Sequence, residues 1–141
     1  MERLLLASLM LLASCGKSGA PDIRVSGAWA RETVAGQSAT ASYMTIANRG
    51  SREDRLLGVE ADAPATASVH ETSTTDGVAR MRAVSGLEIP GGRALQLEPG
   101  GAHVMVTGLT SPLRAGDSLK LRLRFETSGE RVIDVPVKSA I

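Results

Sequence analysis

The chain has 141 residues, which is enough for one domain with a substantial core and too short for two domains of ordinary size. Its 16 Lys and Arg residues against 15 Asp and Glu leave a net charge of +1, which argues against a nucleic-acid partner and gives no indication of an acidic substrate. Hydrophobic residues make up 43% of the sequence but aromatic residues only 2%. The core is therefore expected to consist of Val, Leu, Ile and Ala, which suits a small β-sandwich.

The N-terminal residues have the pattern of a secretory leader. A short head containing Arg3 precedes an apolar run from Leu4 to Ala13, which is too short to span a membrane. The run ends in Leu-Ala-Ser-Cys, which resembles the lipobox of bacterial lipoproteins, where cleavage before the cysteine is followed by its lipidation. We therefore predict a lipoprotein signal peptide over residues 1–14 and lipidation of Cys15. The alternative is an ordinary leader whose cysteine stands there by chance.

Lipidation of Cys15 would have consequences for the mature chain. It would consume the sole cysteine, so the folded domain would have no thiol for a disulfide, a nucleophile or a metal. The small, turn-rich residues that follow predict a flexible tether, so the lipidated cysteine and tether occupy residues 15–21 and the domain occupies residues 22–141. The expected location is the periplasm or cell envelope, with a membrane anchor.

From Ile23 onward the dominant pattern is an alternation of apolar and polar residues in short runs separated by turn-forming residues. The clearest run is 118–126, where leucines and Phe125 alternate with Lys120, Arg122 and Arg124, and it is expected to pair with 131–137 through a turn. About nine short strands predict an all-β Greek-key sandwich or barrel. The predicted strands are 23–30, 39–47, 55–60, 66–71, 78–84, 94–98, 103–107, 118–126 and 131–137.

The sequence contains two histidines, and one of them is followed two residues later by a methionine. In the predicted strand 103–107, His103 and Met105 leave one face of the sheet while Val104 and Val106 leave the other. The valines fit a core face. His103 and Met105 are therefore expected to lie together on the outer face.

The other histidine and a second methionine lie upstream, in neighbouring predicted strands. His70 follows Val69, which is expected to point inward, and Met81 lies between two arginines, an awkward setting for a methionine that only fills a core. A single His or Met more often packs or forms hydrogen bonds than binds a metal. Two of each in this arrangement favour a metal site, and the ordinary interpretation stays open. Met44 is expected to pack in the core, and Trp29 to have a structural role.

The types of ligand narrow the choice of metal. Thioether sulfur is soft and uncharged, so it favours Cu(I) over Zn, Mg, Ca or Mn. A blue-copper site requires a cysteine thiolate, which the predicted mature domain lacks. A catalytic zinc site usually takes three His or carboxylate ligands, and Glu71, next to His70 on a strand, is expected to face the other way. Two His and two Met are suited to a single four-coordinate Cu(I) ion.

The spacing of the four residues resembles the copper-ligand motif of the periplasmic copper chaperones of the PCuAC type. Ten residues separate His70 from Met81, twenty-one separate Met81 from His103, and one separates His103 from Met105. The likeness extends over roughly residues 23–137. Further similar stretches are Ala28-Trp29-Ala30-Arg31, Tyr43-Met44-Thr45-Ile46, His70-Glu71-Thr72, Met81-Arg82, Pro99-Gly100-Gly101-Ala102-His103 and Gly108-Leu109.

The resemblance implies a cupredoxin-like β-sandwich with an accessible Cu(I) site, one ion per chain, that passes copper to other extracytoplasmic proteins. The best-known recipient in the family is the copper centre of a haem-copper respiratory oxidase. The protein is expected to be monomeric and not an enzyme. Glu71 replaces an additional methionine found in some members, and the sequence ends at Ile141 without their His- and Met-rich tail, so a single metal site is predicted.

Three other functions remain open on the sequence. A copper-sequestering or resistance lipoprotein would use the same four ligands and differ only in keeping its copper. A copper redox enzyme would need an open site and turnover, and two imidazoles with two thioethers supply no obvious acid, base or nucleophile. A structural lipoprotein would bind no metal.

Overall fold

Ten β-strands make up the described part of the chain in the computed structural model, which covers residues 19–139. In this range no helix has the length and hydropathy that a membrane span requires. The predicted signal peptide and Cys15 lie outside the described residues. The strands are β1 Ile23–Arg31, β2 Thr40–Asn48, β3 Asp54–Ala61, β4 Thr66–Thr75, β5 Val78–Val84, β6 Leu87–Ile89, β7 Ala94–Leu97, β8 His103–Thr107, β9 Ser118–Phe125 and β10 Gly129–Lys138.

The strands pair in the order β5-β4-β8-β2-β1-β10-β9-β3-β6, with β7 also paired to β2. All pairs are antiparallel except β1 and β10, which run parallel where Ala30 meets Val137. A single buried cluster joins side chains from both halves of this order, including Ile46 and Val104 from one half and Leu121 and Val135 from the other. The sheet therefore folds over on itself, and the predicted all-β class is confirmed.

Each of the nine predicted strands is present, with ends that differ by a few residues at most. The alternation in β9 is also as predicted, because Leu121, Leu123 and Phe125 are buried while the intervening basic residues are exposed. The strand that the sequence did not predict is β6. It has 3 residues and lies between Gly86 and Pro90, so it is too short to show a two-residue period.

The predicted hairpin between β9 and β10 is confirmed, with a tighter turn than expected. Gly129 pairs with Phe125, so the loop consists of residues 126–128 alone. Gly129 has a φ of 74°, a left-handed conformation typical of the residue that closes a three-residue hairpin loop. Glycine adopts this conformation without steric cost.

Asp54 at the start of β3 fastens this loop to the neighbouring strand. Its side chain is buried and accepts hydrogen bonds from the backbone N–H groups of Arg55, Thr127 and Ser128 at 2.8, 2.9 and 3.0 Å. Burial acts to raise the pKa of this carboxyl group, but hydrogen bonds from the Ser128 side chain and the three backbone groups outweigh it and hold the pKa below its usual value. The ionised form is therefore the one that stabilises the fold.

We predict that Asp54→Asn lowers the free energy of unfolding at pH 7 by about 1–3 kcal/mol, because buried N–H groups lose a charged acceptor. In the native protein this stabilisation is complete above the unfolded-state pKa of about 3.9 and is lost as the pH falls toward the lower folded-state pKa. In urea denaturation between pH 2.5 and 7, the free energy of unfolding should fall more steeply on acidification for the native protein than for the variant. Asp134→Asn, which removes an exposed carboxylate paired with Lys120, is the control and should change little. Equal stability of Asp54→Asn and the native protein at pH 7 would contradict this account.

Candidate metal centre

The four predicted ligands lie on the outer face of three neighbouring strands. On β4, His70 pairs directly with His103 of β8, and Thr72 pairs with Met81 of β5. Met105 follows His103 by two residues on β8. Directly paired residues in an antiparallel sheet point to the same face, and so do residues two apart on one strand. The fold thus places two imidazoles and two thioethers on one surface.

The opposite face of the same strands is the core. Val104 and Val106 are fully buried, and Val69, which precedes His70, is 4% exposed. These three valines pack with the other aliphatic residues of the central cluster. The predicted division of β8 into an inner valine face and an outer His and Met face is confirmed.

The two histidine rings are close enough to hold one ion between them. Their centroids are 6.0 Å apart and their planes are inclined by 36°. A metal–nitrogen bond of about 2.0 Å places a metal roughly 3 Å from the centre of the ring that binds it. Two rings at this separation can therefore share a single ion.

His103 is buried, and its orientation is set by the loop before β8. Its Nδ1 lies 3.1 Å from the carbonyl oxygen of Gly101. A carbonyl oxygen only accepts, so the neutral ring carries its proton on Nδ1 and keeps the lone pair of Nε2 for a metal. A backbone partner of this kind commonly fixes the tautomer of a ligating histidine.

His70 is less buried and has a side-chain partner. Its Nε2 lies 2.9 Å from the hydroxyl oxygen of Ser68, two residues earlier on the same strand. When Nε2 carries the proton and donates to this hydroxyl, the lone pair of Nδ1 is free for a metal, whereas binding through Nε2 would displace the contact. Ser68 also pairs across the sheet with Met105, which makes it part of the same surface.

The methionines on this face differ in exposure. Met105 is half-buried and lines a cleft of about 500 Å³ together with Arg31 and Ala41. Met81 is 56% exposed and belongs to β5, which is the outermost strand at its end of the sheet order. Met44, on the opposite face of β2, is 2% exposed and lies in the core, as predicted.

Tyr43 lies next to His103, and Trp29 packs against Tyr43. The Tyr43 ring is 6.5 Å from the His103 ring and 4.8 Å from the Trp29 ring, measured between centroids. Sequence reasoning did not assign Tyr43 to the site. Alternation places it on the face opposite Met44, but the contact with His103 follows from the pairing of β2 with β8, which the sequence does not reveal.

Within residues 19–139, no group of three or more His, Cys, Asp or Glu side chains is arranged to hold a metal ion. The four candidate ligands include only two residues of those types. Their role as ligands stays a prediction, based on their placement and chemistry.

A family model with the description "Putative lipoprotein LpqE-like" matches residues 23–137. A protein of Leifsonia xyli subsp. xyli, named "Putative lipoprotein Lxx21020", is 38% identical over 120 residues, which cover 84% of this chain and 71% of the relative. The matched region includes all ten strands, apart from the last residue of β10.

Solved structures with the same fold include the apo PCuAC domain from PmoF1. It is 26% identical, with a TM-score of 0.69 over 84% of this chain and 94% of that domain. The solution structure of CuI-DR1885 from Deinococcus radiodurans is 29% identical, with a TM-score of 0.58 over 89% of this chain and 84% of that protein. The chain therefore belongs to the LpqE-like family, and its all-β fold is the cupredoxin-like fold of the PCuAC domains.

Proposed function

We propose that this protein is an extracytoplasmic metallochaperone that binds one Cu(I) ion through His70, Met81, His103 and Met105. The observation that carries the proposal is the register of β5, β4 and β8, which brings these four side chains to one face. Imidazole nitrogen and thioether sulfur together form a donor set suited to Cu(I). Support also comes from DR1885, a relative with the same fold, whose solution structure is described as that of CuI-DR1885.

The unequal exposure of the ligands suits a metal that is bound and then released. His103 is buried and held by the Gly101 carbonyl, so it can act as the fixed ligand. Met81 is exposed on an outermost strand, so a ligand from a recipient protein can approach on its side. Copper would then pass by ligand exchange, with Met81 replaced before His103.

The recipient that we propose is a copper-accepting protein, such as the copper domain of a haem-copper respiratory oxidase or another copper chaperone. This follows from the resemblance to the PCuAC chaperones. A copper-sequestering or resistance protein with the same site is the main alternative. A copper redox enzyme is a weaker one, because imidazoles and thioethers provide no evident acid, base or nucleophile.

We further propose that the protein is anchored to the membrane through Cys15 and acts on the periplasmic side. The names of the family and of the Leifsonia relative, which both describe lipoproteins, support this. Gly19 lies four residues after Cys15, and its carbonyl oxygen accepts a hydrogen bond from the Arg52 backbone N–H at 2.7 Å. Few residues would thus separate the proposed anchor from the folded domain.

Replacing a proposed sulfur ligand should weaken the stabilisation by Cu(I) while leaving the apo fold almost unchanged. Met81→Leu and Met105→Leu roughly preserve volume, so they should cost little stability without metal. Free Cu(I) at about a thousand times Kd stabilises the native protein by about 4 kcal/mol, which raises Tm by on the order of 10 °C. Differential scanning fluorimetry with buffered Cu(I) should show most of this rise lost in both variants.

The matched control is Met44→Leu, which changes a core methionine on the opposite face of the sheet. It should keep the full Cu(I)-induced rise in Tm. Zn(II) should raise Tm only slightly in the native protein, because thioethers add little to a zinc site. Equal Cu(I)-induced rises in all three variants would show that Met81 and Met105 are not ligands.

Delivery is tested by mixing the copper-loaded domain with a purified apo copper domain of a respiratory oxidase. Separation of the two proteins and copper analysis of each should show the metal transferred to the recipient. The same experiment with Met81→Leu should show altered transfer kinetics, because the exposed ligand is removed. Retention of copper by the native protein despite a recipient of higher affinity would favour sequestration.

Cys15→Ala should abolish the membrane anchor. Two acyl chains give stable attachment, whereas a single chain holds a protein only marginally. The variant should therefore appear in the soluble fraction after cell fractionation, while the native protein sediments with membranes. Membrane association of a processed Cys15→Ala protein, with the leader shown by mass spectrometry to be removed, would disprove the anchor.

A further inference from the structure

An arginine lies beside the candidate metal centre on the same outer face. Ala30 of β1 pairs with Ser42 of β2, so Arg31 is level with Ala41, which in turn pairs with Met105. The small side chain of Ala41 separates the two longer ones. Arg31 and Met105 accordingly line the same cleft.

The guanidinium group of Arg31 is directed toward the aromatic residue next to His103. Its Nε donates a hydrogen bond to the Tyr43 hydroxyl at 3.1 Å, and its Cζ lies 5.7 Å from the centre of the Tyr43 ring. The Tyr43 and His103 rings are 6.5 Å apart. Added together, the distances from Cζ to the Tyr43 ring and from that ring to the His103 ring place the positive charge no more than about 12 Å from the centre of the His103 ring.

In the described chain, β2, β4, β5 and β8 present no carboxylate on this face, and the one carboxylate that lines the cleft forms no salt bridge with Arg31. The positions of β2, β4, β5 and β8 that share the face are occupied by Ala, Ser, Thr, Tyr, His and Met. Glu32 also lines the cleft, and its carboxylate accepts a hydrogen bond from the Ser139 hydroxyl at 3.0 Å. Among the salt bridges of residues 19–139, none involves Arg31.

The geometry points to Arg31 as a residue that determines the selectivity of the site for a singly charged ion, an inference that rests on the proposed Cu(I)-binding function. The four ligands are uncharged when they bind, so they do not offset the charge of Arg31. Coulomb repulsion is proportional to the charge of the ion, so it opposes a divalent ion twice as strongly as Cu(I). Thioether softness selects for the type of metal, and Arg31 adds selection by charge.

The size of the repulsion depends on the distance between the Arg31 guanidinium group and the bound ion. If the ion lies about 12 Å from the guanidinium group, an effective dielectric constant between that of a protein surface and that of water gives about a threefold change in affinity for a singly charged ion at low ionic strength. For a doubly charged ion the same term gives about a tenfold change. Salt should reduce both changes in affinity, because the Debye length is about 10 Å at 0.1 M and about 3 Å at 1 M.

The experiment measures Cu(I) and Zn(II) affinities of the purified soluble domain by competition with chromophoric chelators in low-salt buffer. Arg31→Gln should tighten Cu(I) binding about threefold and Zn(II) binding about tenfold, so the selectivity for Cu(I) falls about threefold. Arg31→Lys keeps the charge and should resemble the native protein. In 1 M salt the difference between Arg31→Gln and the native protein should largely disappear.

Two further variants separate charge from positioning. Tyr43→Phe removes the hydroxyl that accepts from Arg31 but keeps the cation, and its ratio of Cu(I) to Zn(II) affinity should match the native one. Arg24→Gln removes a cation of the same strand that is paired with Asp22 at 3.0 Å, and it should also leave the ratio unchanged. A loss of selectivity in Tyr43→Phe equal to that in Arg31→Gln would overturn the charge effect in favour of positioning.

The measured affinities also separate a failure of the role of Arg31 from a failure of the proposed Cu(I)-binding function. An unchanged affinity ratio in Arg31→Gln, with tight Cu(I) binding by the native protein, would overturn the role of Arg31 alone. Absence of Cu(I) binding by the native protein would overturn the proposed function and this inference with it. Arg31 is exposed on β1, so its replacement is expected to leave folding intact.

Discussion

The register between β4 and β8 is the constraint on which the candidate metal centre depends. It sets His70 directly opposite His103 and Ser68 opposite Met105, and it sends Val69 and Val104 together into the core. A shift of one residue in either strand would exchange its two faces, burying imidazole and exposing valine. Burial of the valines therefore opposes such a shift and holds the histidines in place. The packing of the core and the placement of the site are two consequences of one pairing.

The surface around the site contrasts with the other outer face of the protein. The outer positions of β9 carry Lys120, Arg122 and Arg124, and the first two pair with carboxylates at distances of 3.1 to 3.6 Å. The face of β4, β5 and β8 that holds the candidate ligands carries no Lys, Arg, Asp or Glu. Neutral ligands in such a setting would leave the charge of a nearby cation such as Arg31 unopposed on that face.

The parts of the structure that sequence reasoning missed share a physical cause. The 3-residue strand β6 is shorter than the pattern needed to recognise a strand, and it exists because it pairs with β3. The pairing of β2 with β8 brings Tyr43 next to His103, and the pairing of β2 with β1 brings Arg31 next to Tyr43; neither follows from local sequence. Periodicity along one strand says which residues share a face, but it does not say which strands are neighbours.

The sequence by itself determined the all-β class, nine of the ten strands, the inward valines of β8 and the four candidate ligands, because each of these depends on local alternation or on a spacing along the chain. Only the tertiary structure decided that the candidate ligands of β4, β5 and β8 lie on one face, that Gly101 fixes the tautomer of His103, and that Tyr43 and Arg31 border the candidate site. These contacts arise from long-range pairing and from the direction of individual side chains. The free energy that selects them comes mainly from burying the aliphatic core, to which residues from almost every strand contribute at once.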